Sequence, residues 1–95
     1  MSDATSIVPY TLTDHARFEM ARRNISENEI AQVVSAPEQS EPVRPGRKIF
    51  QSRVIRGEPS KIYLLRIFVD IDRRPPEVVT VYLTSKIGKY WRIEP

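Results

Sequence analysis

Residues 61–86 read KIYLLRIFVDIDRRPPEVVTVYLTSK. From Lys61 to Asp70 two sets of side chains alternate: Tyr63, Leu65, Ile67 and Val69 against Leu64, Arg66, Phe68 and Asp70. A period of two, with β-branched and aromatic residues, predicts a strand, and its apolar content predicts a central one. Asp72 to Pro76 breaks the pattern with charges and prolines and predicts a turn. Alternation then returns from Glu77 to Lys86, with Val79, Val81 and Leu83 against Thr80, Tyr82 and Thr84. Two strands joined by so short a turn pair antiparallel.

The pattern extends outward in both directions. Upstream, Gly57-Glu58-Pro59-Ser60 predicts another turn. Arg47 to Arg56 predicts a further strand, with Phe50 and Val54 on one face and Gln51 and Arg53 on the other. Pro37 to Gly46 reads as a polar linker with three prolines. Before it the period is helical. Thr13 is a good N-cap for a helix over Asp14 to Arg23, whose apolar positions are Ala16, Phe18, Met20 and Ala21. Asn24 suits a left-handed end to that helix. Ser26 and Glu29 then have capping-box spacing, and Ile25 and Ile30 that of a hydrophobic staple. Ile30, Val33 and Val34 form the second helix's buried stripe, and Ala36-Pro37 stops it. Downstream, Ile87 to Trp91 reads either as a short fourth strand or as a tail packed on the sheet.

Helices followed by consecutive strands predict an α+β fold. Two N-terminal helices pack on one face of a three- to four-stranded antiparallel sheet. Residues 1–12 form an extended arm and residues 13–95 a single domain. The apolar sets lie under the helices. The other face is open and gathers Arg53, Arg66, Thr80, Tyr82, Thr84 and Lys86.

Composition excludes several chemistries. The 95 residues hold no cysteine and one histidine, which rules out disulfides, thiol catalysis and a cysteine–histidine zinc site. No phosphate-binding glycine loop is present, since the three glycines lie far apart, and no acidic cluster suits a two-metal nuclease. No stretch approaches the roughly 20 apolar residues of a membrane span, and Met1 to Thr5 lacks a secretory pattern. A cytoplasmic protein without cofactor or metal is expected. The formal net charge of +3 is unevenly spread. Residues 1–42 carry seven acids and three bases, residues 43–95 twelve bases and five acids. A basic half-surface attracts polyanions such as RNA, or an acidic protein.

The run LTDHARFEMARRNISENEIAQVVSAPEQ, a Gly-Arg at a strand entry and VVTVYLTSK together resemble domain-of-unknown-function family 4258, over roughly residues 11–90. That family resembles in turn the RelE-like and ParE-like toxins of bacterial toxin–antitoxin systems, many of them metal-independent ribonucleases. The resemblance implies a RelE-like or barnase-like fold and a toxin that cleaves RNA by attack of its 2′-hydroxyl. It also implies a cognate antitoxin protein and a possible ribosomal context. Two other readings stand beside it: a non-enzymatic toxin or binding protein acting on gyrase or the ribosome, and an interaction module whose basic strands meet an acidic partner.

Candidate site residues follow from both lines. His15 sits in the first helical turn, and the resemblance makes it the proton-transfer candidate; otherwise it is an exposed side chain at the helix entry. Arg66 interrupts an apolar strand, and with Arg53 it is the candidate to hold the scissile phosphate. Surface ion pairing is the plainer role for both. Arg47, on the Gly-Arg of the resemblance, joins the substrate-binding candidates. Tyr82 can stack on a base or simply pack. Thr84 and Lys86 can orient substrate. Arg22 and Arg23 complement the helix dipole and receive no site role. Tyr90 and Trp91 read as core or lid residues, an aromatic pair that anchors the tail.

Overall fold

The computed structural model describes residues 9–93. The order of elements is β1 (Thr11–Leu12), α1 (Asp14–Arg23), α2 (Glu27–Ser35), β2 (Gln39–Arg44), β3 (Arg47–Arg56), β4 (Lys61–Asp70), β5 (Glu77–Thr84) and α3 (Ile87–Tyr90). The fold is α+β, but the sheet has five strands rather than three or four, in the order β1-β5-β4-β3-β2. It is mixed, because β1 runs parallel to β5 while the other neighbours are antiparallel. Most of the expected arm, residues 1–8, lies outside the described residues, but its last two residues form β1.

The helix ends form as their local sequence dictates. Thr13 Oγ1 accepts the Ala16 amide at 3.1 Å and donates to the Val79 carbonyl at 3.2 Å, tying the cap of α1 to β5. Asn24 adopts φ 57° and ψ 48°, and Ile25 donates back to the Met20 carbonyl at 2.8 Å. In α2 Ser26 Oγ accepts the Glu29 amide at 3.1 Å while Glu29 Oε1 accepts the Ser26 amide at 3.0 Å, which completes the capping box. Arg56 at the end of β3 reaches back to Glu29 and to the Arg23 and Asn24 carbonyls, so a cation closes the C-terminus of α1.

The core lies between the helices and one sheet face. Ala16, Met20, Ile30, Val33 and Val34 meet Phe50, Leu65, Ile67, Val69 and Val81 there. Each large side chain so buried contributes about 1.5–3 kcal/mol relative to exposure. The third-strand set differs from expectation by one residue. Phe68 pairs with Thr80 but Val69 with Val78, so a bulge inserts Val79 and turns Val78 into the core. Phe18 also departs from expectation: it is 62% exposed, because α1 packs along β5 at the sheet's side and buries only a narrow stripe.

Two further segments lack a clear period. The polar linker contains β2, an edge strand paired from Gln39 with Gln51 to Pro42 with Lys48. Proline is tolerated on an edge because no donor is needed on that side. The C-terminal segment adds no strand; of its two readings, it follows that of a tail packed on the sheet. One helical turn, α3, folds back across the second sheet face, which is therefore not open. Beneath it Gln51 is 2% exposed, and Leu64 and Thr84 are buried as well.

Candidate functional site

Because α1 lies beside β5, the side chains at His15, Glu19 and Arg23, four residues apart, face the second sheet face across the β5 edge. Opposite them stand Arg66 and Phe68 of β4 and Thr80 and Tyr82 of β5, with Tyr90 of α3 at the end. The cleft between encloses about 370 Å³. Arg66 pairs directly with Tyr82, and Phe68 with Thr80, in the β4–β5 ladder.

Cations and rings alternate along this cleft. The Arg23 guanidinium lies 5.1 Å from the Tyr82 ring centre. Tyr82 meets Tyr90 edge to face, 5.9 Å apart at 78°. Arg66 lies 4.2 Å from the Tyr90 ring and 5.6 Å from Phe68. Glu19 Oε1 accepts Arg23 Nε at 2.9 Å and Arg22 at 3.0 Å. These bonds, that of Arg23 foremost, hold the Glu19 carboxyl below its ordinary pKa. The Tyr82 hydroxyl, then the Lys89 and Arg66 charges, hold the Tyr90 phenol below its usual value.

Ion pairing separates the arginines. Among the described residues Arg17, Arg22, Arg23, Arg47, Arg53, Arg56, Arg73 and Arg92 each meet a carboxylate. Of the twelve bases in residues 43–95, five are thus ion-paired: Arg47, Arg53, Arg56, Arg73 and Arg92. Arg66 is different. Half-buried, it meets no carboxylate among the described residues; its Nε donates to Gln51 Oε1 at 2.9 Å. Burial lowers its pKa, yet a guanidinium stays charged at any physiological pH. The Glu41 carboxylate, bonded to Arg92, acts on Arg66 only through space, so its guanidinium still favours an incoming anion.

Three of the sequence candidates meet in this cleft: His15, Arg66 and Tyr82. The other four lie elsewhere. Arg53 grips Glu38 through Nε at 3.0 Å and Nη2 at 2.9 Å and stacks on Trp91 at 4.4 Å. Arg47 holds both oxygens of Asp70, at 2.6 and 3.1 Å, where β3 begins. Thr84 is buried and accepts the Lys86 amide at 3.0 Å, turning the chain into α3. Lys86 is exposed just before that turn. Conversely, sequence reasoning passed over Glu19, Arg23, Tyr90 and Gln51. The first two share a helical stripe with His15, which was the available signal. Tyr90 read as a core or lid residue rather than a site residue, and its fold-back brings it into the cleft.

A larger hollow of about 650 Å³ lies at the β2–β3 turn, between Val43, Gly46, Lys48 and Ile71. Its arginines are engaged, Arg47 with Asp70 and Arg44 with the Pro45 carbonyl, and it holds no proton-transfer group. Among the described residues no group of three or more histidines or carboxylates is placed to hold a metal ion. No described helix is long and apolar enough to cross a membrane.

A family model described as "Domain of unknown function (DUF4258)" matches residues 12–83. The match spans every cleft residue except Tyr90. No curated protein and no solved structure matches the chain.

Proposed function

The chain belongs to the DUF4258 family, and from that premise we propose that it is a RelE-like toxin of a bacterial toxin–antitoxin system that cleaves RNA in the α1–sheet cleft without a metal. The observation that carries this reading is the convergence of the sole histidine, His15, with the guanidinium of Arg66, which meets no carboxylate among the described residues, beside Tyr82. Arg66 binds the scissile phosphate and stabilises the charge that grows on its oxygens. His15 accepts the proton of the 2′-hydroxyl. The 2′-oxygen bonds to phosphorus and the bond to the 5′-oxygen breaks. That leaving oxygen takes a proton from the Tyr90 phenol, whose acidity Tyr82, Lys89 and Arg66 raise. The products are a 2′,3′-cyclic phosphate and a 5′-hydroxyl, and solvent returns the two proton carriers to their starting states. The site works in the cytoplasm, with a protein antitoxin as its restraint.

The test is incubation of the purified protein with a mixed RNA pool in a metal chelator, with and without ribosomes. Cyclic-phosphate ends are expected, with the rate reduced about 10²-fold or more in His15→Ala and likewise in Arg66→Ala. A folded wild-type protein that leaves every RNA intact overturns the enzymatic reading. The non-enzymatic alternative draws on one observation: the Tyr90 ring already rests on Arg66 at 4.2 Å, as a partner's ring would in a binding surface for gyrase or the ribosome. Retained toxicity of His15→Ala would select it.

A further inference from the structure

The helix-borne cation of the cleft has a use that the proposed chemistry leaves open. Arg23 spends only Nε on Glu19, and its two Nη groups meet no acceptor among the described residues. Its side chain is 25% exposed and lines the cleft. Across the Tyr82–Tyr90 pair stands Arg66, so two guanidiniums flank two rings in the order Arg23, Tyr82, Tyr90, Arg66. Glu19 does not cancel this charge, because Arg22 shares the same carboxylate oxygen and leaves the group net positive. Glu19 is thus a positioning residue that orients Arg23 toward Tyr82.

We infer that Arg23 is a second phosphate clamp and that the cleft takes a single strand of nucleic acid across two consecutive phosphates, one on Arg66 and the next on Arg23. This deepens the proposed function and rests on it. A single strand alternates phosphate and ring, and its unpaired bases are free to stack on Tyr82 and Tyr90. A duplex keeps its ring faces inside its own stack. An isolated phosphate satisfies one guanidinium only.

The probes are 2′-O-methyl oligouridines, which lack the attacking hydroxyl. A trimer carries two phosphates, a dimer one. Affinity is measured by fluorescence anisotropy while salt is raised. A single strand loses affinity with a logarithmic slope of about −0.7 per neutralised phosphate, so the wild type on the trimer is expected near −1.4. Arg23→Ala is expected to reduce that slope to about −0.7 and to leave the dimer on Arg66 unaffected. Arg23→Lys restores the slope. Arg22→Ala leaves it unchanged, since Arg22 shares Glu19 but does not line the cleft. An unchanged slope in folded Arg23→Ala, or equal affinity for a duplex of the same length, overturns the clamp and leaves the proposed function standing. A wild type that binds no oligonucleotide overturns both.

Discussion

Replacing Gln51 with leucine tests the joint between fold and site. Gln51 is 2% exposed, on the sheet face that α3 covers. Its Oε1 accepts Arg66 Nε at 2.9 Å, and its Nε2 donates to Gln39 Oε1 at 2.8 Å and to the Tyr90 carbonyl at 3.3 Å. One buried amide thus orients the cleft's guanidinium and fastens the segment that carries Tyr90. Leucine has nearly the same volume and none of these bonds. The bond from Arg66 is charge-assisted and contributes about 1.5–3 kcal/mol, while each neutral bond contributes about 1 kcal/mol or less. Leucine returns roughly 1–2 kcal/mol through its apolar surface. The balance is a loss of about 2 kcal/mol, which for a chain of this size lowers Tm by about 8–15 °C. Calorimetry gives the Tm, and urea unfolding followed by Trp91, the sole tryptophan, gives the free energy. Oligonucleotide affinity falls as well, because Arg66 loses its fixed orientation. A Tm within about 2 °C of wild type with undiminished affinity would refute the claim that Gln51 holds Arg66 and the fold-back.

Three other outcomes are expected. Asp70→Asn weakens the bond from Arg47, at a cost of about 1.5–3 kcal/mol at pH 7. Arg47 holds the Asp70 carboxyl below its ordinary value. That stability is therefore complete above about pH 4, and the gap between wild type and variant closes as acid protonates the native carboxylate; urea titrations at pH 7 and pH 2.5 measure it, and a gap of equal size at both contradicts the assignment. Asn24, at φ 57°, tolerates glycine with little change, whereas valine costs about 1–2 kcal/mol in the left-handed region; equal melting of the two variants would rule out the cap. Ile30→Ala empties a fully buried position between α2 and the sheet and removes about 2–5 kcal/mol, read by urea unfolding, with a loss under 1 kcal/mol speaking against the packing described.

Much of the architecture was legible because it is local. The capping box of Ser26 and Glu29 closes across three residues, and Asn24 ends α1 through bonds to the turn before it. The two alternating sets of β4 separate core from cleft without reference to any other segment. β2 escaped because an edge strand with prolines need not show an apolar period; its partners are backbone groups of β3 and the far Arg92. The Val79 bulge escaped for a related reason, since alternation carries no mark of an inserted residue.

The candidate site divides in the same way. His15, Arg66 and Tyr82 stood out by residue type, a lone imidazole, a cation in an apolar strand and a ring on the polar set. Arg53 and Arg47 stood out equally by type, yet Glu38 and Asp70 neutralise them, and no spacing announces a partner 15 or 23 residues away. The sequence alone determined which faces of each helix and strand are apolar, because that depends on side-chain period. Tertiary structure alone decided that Arg66 meets no carboxylate among the described residues and which ring covers it. Those outcomes depend on α1 lying along the β5 edge and α3 folding back, arrangements set by the summed burial of distant segments rather than by any short-range bond.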